Sequence, residues 1–157
     1  MRYIDGTHEV PLLAPVSITA ATSSDVFGLK EYHAAKILVM AGALAVDLTI
    51  TVTKATSTTA SGTDIGFKYR ETSAVGTDSM GAWATAESTG HALTATTDNN
   101  ITTEILIDSA ELAPVSGTEY PYVFVTLTPA SASACLVAVV AILEPRYNQA
   151  TPPSAVD

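Results

Sequence analysis

Three histidines and one cysteine are the residues of this chain best suited to chemistry, and their settings argue against it. His8, His33 and His91 stand in unrelated contexts, none with a second histidine at ligand spacing, so no zinc site is expected. His33, in Glu31-Tyr32-His33 beside an apolar run, reads as a surface or hydrogen-bonded structural residue. Cys135 paired with a distant histidine would imitate a nucleophile dyad. It falls, however, inside the most apolar run of the chain, where desolvation suppresses the thiolate, and it reads as a small core residue. As the single cysteine it forms no intrachain disulfide. Asp98-Asn99-Asn100 resembles a fragment of a calcium loop, but the glycine and the distal glutamate of that loop are missing, which leaves a solvated turn. Trp83 and the tyrosines, Tyr69 among them, could form a sugar-stacking platform, although a core tryptophan is the better reading. There is no glycine-rich phosphate loop and no GxSxG elbow. The expectation is a protein that is not an enzyme and holds no cofactor and no metal.

Composition sets the class. A chain of 157 residues forms one domain with a real core. Only 15% of residues are charged, while threonine, alanine and serine abound. Such a neutral, hydroxyl-rich surface suits all-β extracellular or virion proteins better than cytosolic enzymes. A net charge of −9 with seven scattered basic residues makes no phosphate-neutralising stripe, so no nucleic-acid partner is expected. The start, MRYIDGTHEV, shows no apolar run behind its arginine and hence no secretory signal, so synthesis as a soluble cytoplasmic protein is expected.

The elements follow from periodicity. Tyr122–Leu127 and Ala134–Leu143 are dense apolar runs rich in valine, joined by small residues and Pro129. In the second run both alternating sets are apolar: Cys135, Val137, Val139 and Ala141 against Leu136, Ala138, Val140 and Ile142. A strand apolar on both faces is central in its sheet and covered twice. The run is too short for a membrane span, which needs about 20 apolar residues, and no membrane partner is expected. The two runs read as a buried hairpin. Ala35–Leu44 reads as another buried strand. Over Asp47–Lys54, Leu48, Ile50 and Val52 alternate with threonines, the mark of a half-buried strand. Ile65, Phe67 and Tyr69 form its hairpin partner, and Ile101, Thr103, Ile105 and Ile107 share one face of a later strand. Asp25–Leu29 and Thr89–Thr94 read as short strands. The total is about eight short strands spaced roughly 8–20 residues apart, the pattern of an all-β, single β-sandwich or jelly-roll-like domain over residues 25–144.

Flanking it are two segments that read as extended arms, residues 1–24 and the proline-punctuated tail 145–157. Pro11 and Pro15 interrupt regular pairing in the first. Leu12, Leu13, Val16 and Ile18 there, with Tyr147 in the tail, need a surface to lie on, either the chain's own sheet edge or a neighbouring subunit. They are the candidate partner-binding residues.

Leu29, Lys30, Tyr32, His33, Ala35 and Ile37 match an LKxYHxAxI strand, and Thr51, Val52, Thr53, Ala55 and Thr56 stand against a TVTLxxAT strand. This pattern, with Phe67-Lys68-Tyr69-Arg70 after it, resembles the head decoration (cement) proteins of tailed bacteriophages. The resemblance covers the first half of the chain. It implies a structural virion protein on the capsid exterior, with the major capsid protein and sister copies (a dimer or trimer) as partners, and no catalytic residues. The competing class is a carbohydrate- or receptor-binding sandwich module using Trp83, Tyr69 and the loops at one end.

Overall fold

The computed structural model describes residues 6–147 and 154–156. Twelve strands are described: β1 (His8–Ile18), β2 (Thr22–Ser23), β3 (Phe27–Gly28), β4 (Tyr32–Leu44), β5 (Leu48–Ala55), β6 (Thr63–Ile65), β7 (Phe67–Glu71), β8 (Ala84–Ala86), β9 (His91–Leu93), β10 (Thr102–Asp108), β11 (Tyr122–Pro129) and β12 (Cys135–Pro145). A short 3-10 turn, Ser109–Leu112, follows β10 and is closed by a capping box between Asp108 and Glu111. The strands form two antiparallel sheets. The first runs β1-β12-β4-β10-β7-β8, and the second is built on the β11–β5 pair, with β2 and β3 bordering β11 and β6 and β9 bordering β5. The protein is an all-β sandwich, as its alternating pattern requires.

Core residues are those that alternation selects. Ile37 and Val39 of β4, Ile105 and Ile107 of β10, Val139 and Ala141 of β12, and Leu48, Ile50 and Val52 of β5 are all fully buried between the sheets. Cys135 belongs to this core, and its thiol lies 3.5 Å from the Val46 carbonyl. A smaller cluster of Val26, Ala55 and Phe124, backed by Tyr122, lies on the far side of β11.

Several expectations change. The two central runs do not pair with each other: β11 pairs with β5 in the second sheet, while β12 pairs with β1 and β4 in the first. Their connector is therefore an arch between sheets and not a hairpin turn. The reason is that each run needs apolar cover over its inner face, and facing sheets supply it where side-by-side pairing would not. The expected hairpin of β5 with residues 65–69 is likewise split. β6 pairs with β5, but at Gly66 the chain crosses to the first sheet, where β7 pairs with β10 and β8. A Cβ at Gly66 would stand 2.9 Å from the Ala86 carbonyl oxygen, so glycine suits the crossing.

The segment read as an N-terminal arm contributes β1, an edge strand that pairs with β12 through two register shifts. Those irregularities fall around Pro11 and Pro15, which donate no hydrogen bond and are tolerated at edges and bulges. The tail also returns to its own domain: Gly28 N–H donates to the Ala155 carbonyl at 2.8 Å, and Phe27 bridges Val156.

Candidate docking face

The first sheet has two sides, and only one meets the second sheet. Strand register lays out the other side in rows. One row runs Glu9, Ile142, Lys36, Leu106, Lys68, and the next Pro11, Val140, Leu38, Glu104, Arg70. A third holds Ala138, Met40 and Thr102. The apolar half of this face lies on β12 and β4, and the charged half on β10 and β7.

The apolar half is open. Leu136 is 46% exposed and Met40 38%, while Leu38, Leu106, Val140 and Ile142 are half-buried by their neighbours on the pleat. Leu136 is seated above Gly42, where an added Cβ would meet its side chain at 2.9 Å. Here the expected second cover of β12 is missing: its inner residues are buried, but no described layer lies over Leu136, Val140 and Ile142. Contiguous open apolar side chains of this kind mark docking surfaces.

Trp83 extends the face. Expected in the core, it is 44% exposed and stands beside Lys68, Thr85 and Leu106. The Arg70 guanidinium lies 4.7 Å from its ring centroid, a cation–π contact. Arg70 also donates from Nε to Glu104 at 2.7 Å, and Lys36 Nζ approaches the same carboxylate at 3.8 Å. Glu104 thus holds two cations in place beside the aromatic ring. Aromatic, methionine and arginine side chains around an apolar centre are the composition of protein–protein contact surfaces.

Tyr69 is not part of this surface. It lies on the inner side of β7, where its ring stacks on His91 with centroids 3.9 Å apart, and His91 Nε2 sits 2.7 Å from the Glu71 carboxylate. Trp83 and Tyr69 therefore occupy opposite sides of one sheet, and the sugar platform they were expected to share is not assembled. The other histidines are also apart: His8 Nδ1 is 2.6 Å from the Tyr32 hydroxyl, and His33 is exposed. Burial and the adjacent Glu31 carboxylate raise the Tyr32 pKa above its ordinary value. Asp98, Asn99 and Asn100 form a turn that ties the loop to the end of β4, with Asp98 accepting from Thr94 N–H at 2.6 Å and Asn99 from Leu44 N–H at 2.6 Å.

The five residues expected to bind a partner divide. Leu12 and Ile18 are 2% and 5% exposed in the chain's own core, and Leu13 packs against it. Val16 and Tyr147 remain exposed. Sequence reasoning missed the face itself, although its signal was present: the outer set of β12 is as apolar as the inner one.

No protein-family model and no curated protein matches the chain. Among solved structures the chain is similar to the SPBc2 prophage-derived protein YomS, at 9% identity and a TM-score of 0.43, over 87% of this chain and 91% of that one. It is more distantly similar to the structure of infectious bursal disease virus, Gt strain, at 14% identity and a TM-score of 0.22, over 90% of this chain and 41% of that one. Neither likeness specifies a function.

Proposed function

We propose that this chain is a structural virion protein that decorates the phage head, binding the major capsid protein lattice from outside and stabilising it as cement. The observation that carries the reading is the open face of the first sheet, where Leu38, Met40, Leu136, Val140 and Ile142 present an apolar surface flanked by Trp83 and Arg70. A chain with this surface gains free energy by assembling, at about 25 cal/mol per Å2 of apolar area covered. The resemblance to decoration proteins supports it from the side of the fold. Leu29, Tyr32, Ala35, Ile37, Val52 and Ala55, which carry that resemblance, are buried, so they specify the sandwich and make no contact outside it.

The lattice contact is assigned to this open face, where Leu136 and Met40 are the most exposed apolar side chains. His8 at the start of β1 pairs with Leu143 near the end of β12, and Tyr147 is exposed just beyond that strand. Many copies on one shell then multiply weak individual contacts. The test is co-sedimentation with capsids that lack the protein. Saturable binding in proportion to lattice sites, weakened by Met40→Lys together with Leu136→Lys, is expected. No binding by the wild-type chain at any concentration would end the proposal.

A further inference from the structure

We propose that a cleft at one end of the sandwich binds a sugar acid or sugar phosphate, an anionic group carried on a sugar-sized body. This function goes beyond capsid docking, and the cleft shares no residue with the open face of the first sheet. Its walls come from both sheets: Gly28 and Tyr122 at the ends of β3 and β11, Ser109 in the turn after β10, and Arg146 just past β12. The volume is about 500 Å3, within the range of small-ligand sites. The charge distribution singles this cleft out. Of the seven basic residues, Lys36 and Arg70 are ion-paired to Glu104, and Arg2 lies outside the described residues. Three of the remaining four gather here, none with an ion-pair partner among the described residues. Lys30 and Arg146 line the cleft. Lys54, only 7% exposed, holds its ammonium 4.5 Å from the ring centroid of Tyr120, itself a lining residue. In a chain of net charge −9, unpaired cations gathered in this way make a local well for an anion, and the cleft walls focus their field.

Arg146 is held ready for that anion. Its Nε donates to the Tyr32 carbonyl at 3.1 Å and an Nη to the Ser109 hydroxyl at 3.4 Å, which orients the guanidinium and leaves it without a carboxylate partner among the described residues. Its backbone N–H donates to the Glu31 carbonyl at 2.9 Å, which brings it beside Lys30. The rest of the cleft selects what the anion is attached to. Tyr120 and Tyr122 offer amphipathic ring surface to the apolar faces of a sugar ring. Glu119 also lines the cleft, and an ionised carboxylate only accepts hydrogen bonds. It would repel a bare anion, whereas the hydroxyls of a sugar supply the donors it needs. Glu119 and Glu31, both exposed, are in turn outnumbered by the three cations.

The test is titration of the isotopically labelled full chain, followed by NMR, with glucuronate, a glucose phosphate and glucose. Saturable shifts at Lys30, Ser109 and Tyr122 in the millimolar range are expected with at least one of the two anions. Which anion binds distinguishes a carboxylate site from a phosphate site. Glucose should bind at least about tenfold more weakly. Lys30→Gln, at an exposed residue, should weaken binding about two- to fivefold. Arg146→Gln should weaken it about tenfold or more, and the lysine variant carries the test alone if loss of the arginine loosens this end of the domain. The inference is overturned by glucose or inorganic phosphate binding as tightly as the sugar anions, or by no shift with either anion up to about 50 mM. A tetraglutamate peptide that binds more tightly than both sugar anions also overturns it, since the cleft would then be a peptide groove. None of these readings depends on whether the chain binds capsids.

Discussion

At the scale of single residues, the clearest consequences lie where polarity and burial disagree. The Thr103 hydroxyl is buried between the sheets without a hydrogen-bond partner among the described residues. An orphaned buried hydroxyl costs more than it returns, so Thr103→Val, which keeps the shape, should stabilise the protein by about 1 kcal/mol in a denaturant titration. Phe124 behaves in the opposite sense. It anchors the small cluster with Val26 and Ala55 and is only 3% exposed, so Phe124→Ala should cost about 3–5 kcal/mol by the same measurement. A loss below about 1 kcal/mol would show that this cluster does not hold β11. Tyr32 supplies the pH dependence. Its pKa is raised in the fold by burial and then by Glu31, so the neutral phenol is the form the native state favours. Its contribution is complete below the ordinary tyrosine value of about 10 and is lost as pH rises through the folded pKa. Stability followed by fluorescence should fall in that alkaline window, and Tyr32→Phe should flatten the fall.

At the scale of elements, β1 decides what a truncation can mean. Removing residues 1–15 deletes most of a strand that pairs with β12 and takes Leu12 out of the core. That loss exposes the edge of β12, a strand apolar on both faces, and such an edge is a template for aggregation. The shortened chain should therefore lose its cooperative thermal transition or precipitate. Removing residues 1–6 instead ends before His8 and keeps all of β1, so it should cost less stability than the longer truncation. Equal stability of the two truncations would mean that β1 is a dispensable cover. Strand alternation was legible along β5 and β10, where one face is apolar and the register leaves little choice. Partner choice was not, since β11 and β12 are adjacent in sequence and equally apolar, and nothing local separates a turn within a sheet from an arch between sheets.

At the scale of the whole molecule, the prediction is assembly: the sandwich should dock to a shell through the open face of its first sheet. Met40→Lys with Leu136→Lys should lower capsid occupancy without altering the fold, as measured by co-sedimentation beside circular dichroism. The sequence by itself determined the fold class, because period-two patterning with few charges admits only strands, and a chain of this size closes them into two layers. It also determined that β12 needs cover on both sides, because both of its alternating sets are apolar. Tertiary structure alone decided which of those covers the chain supplies. It placed Leu12 and Ile18 in the chain's own core, put Trp83 and Tyr69 on opposite sides of β7, and gathered Leu38, Met40, Leu136, Val140 and Ile142 from two distant segments onto one open face. The physical reason is that a side chain's direction is fixed locally by the pleat, whereas what lies opposite it depends on pairings between residues about a hundred positions apart, such as Leu38 with Val140.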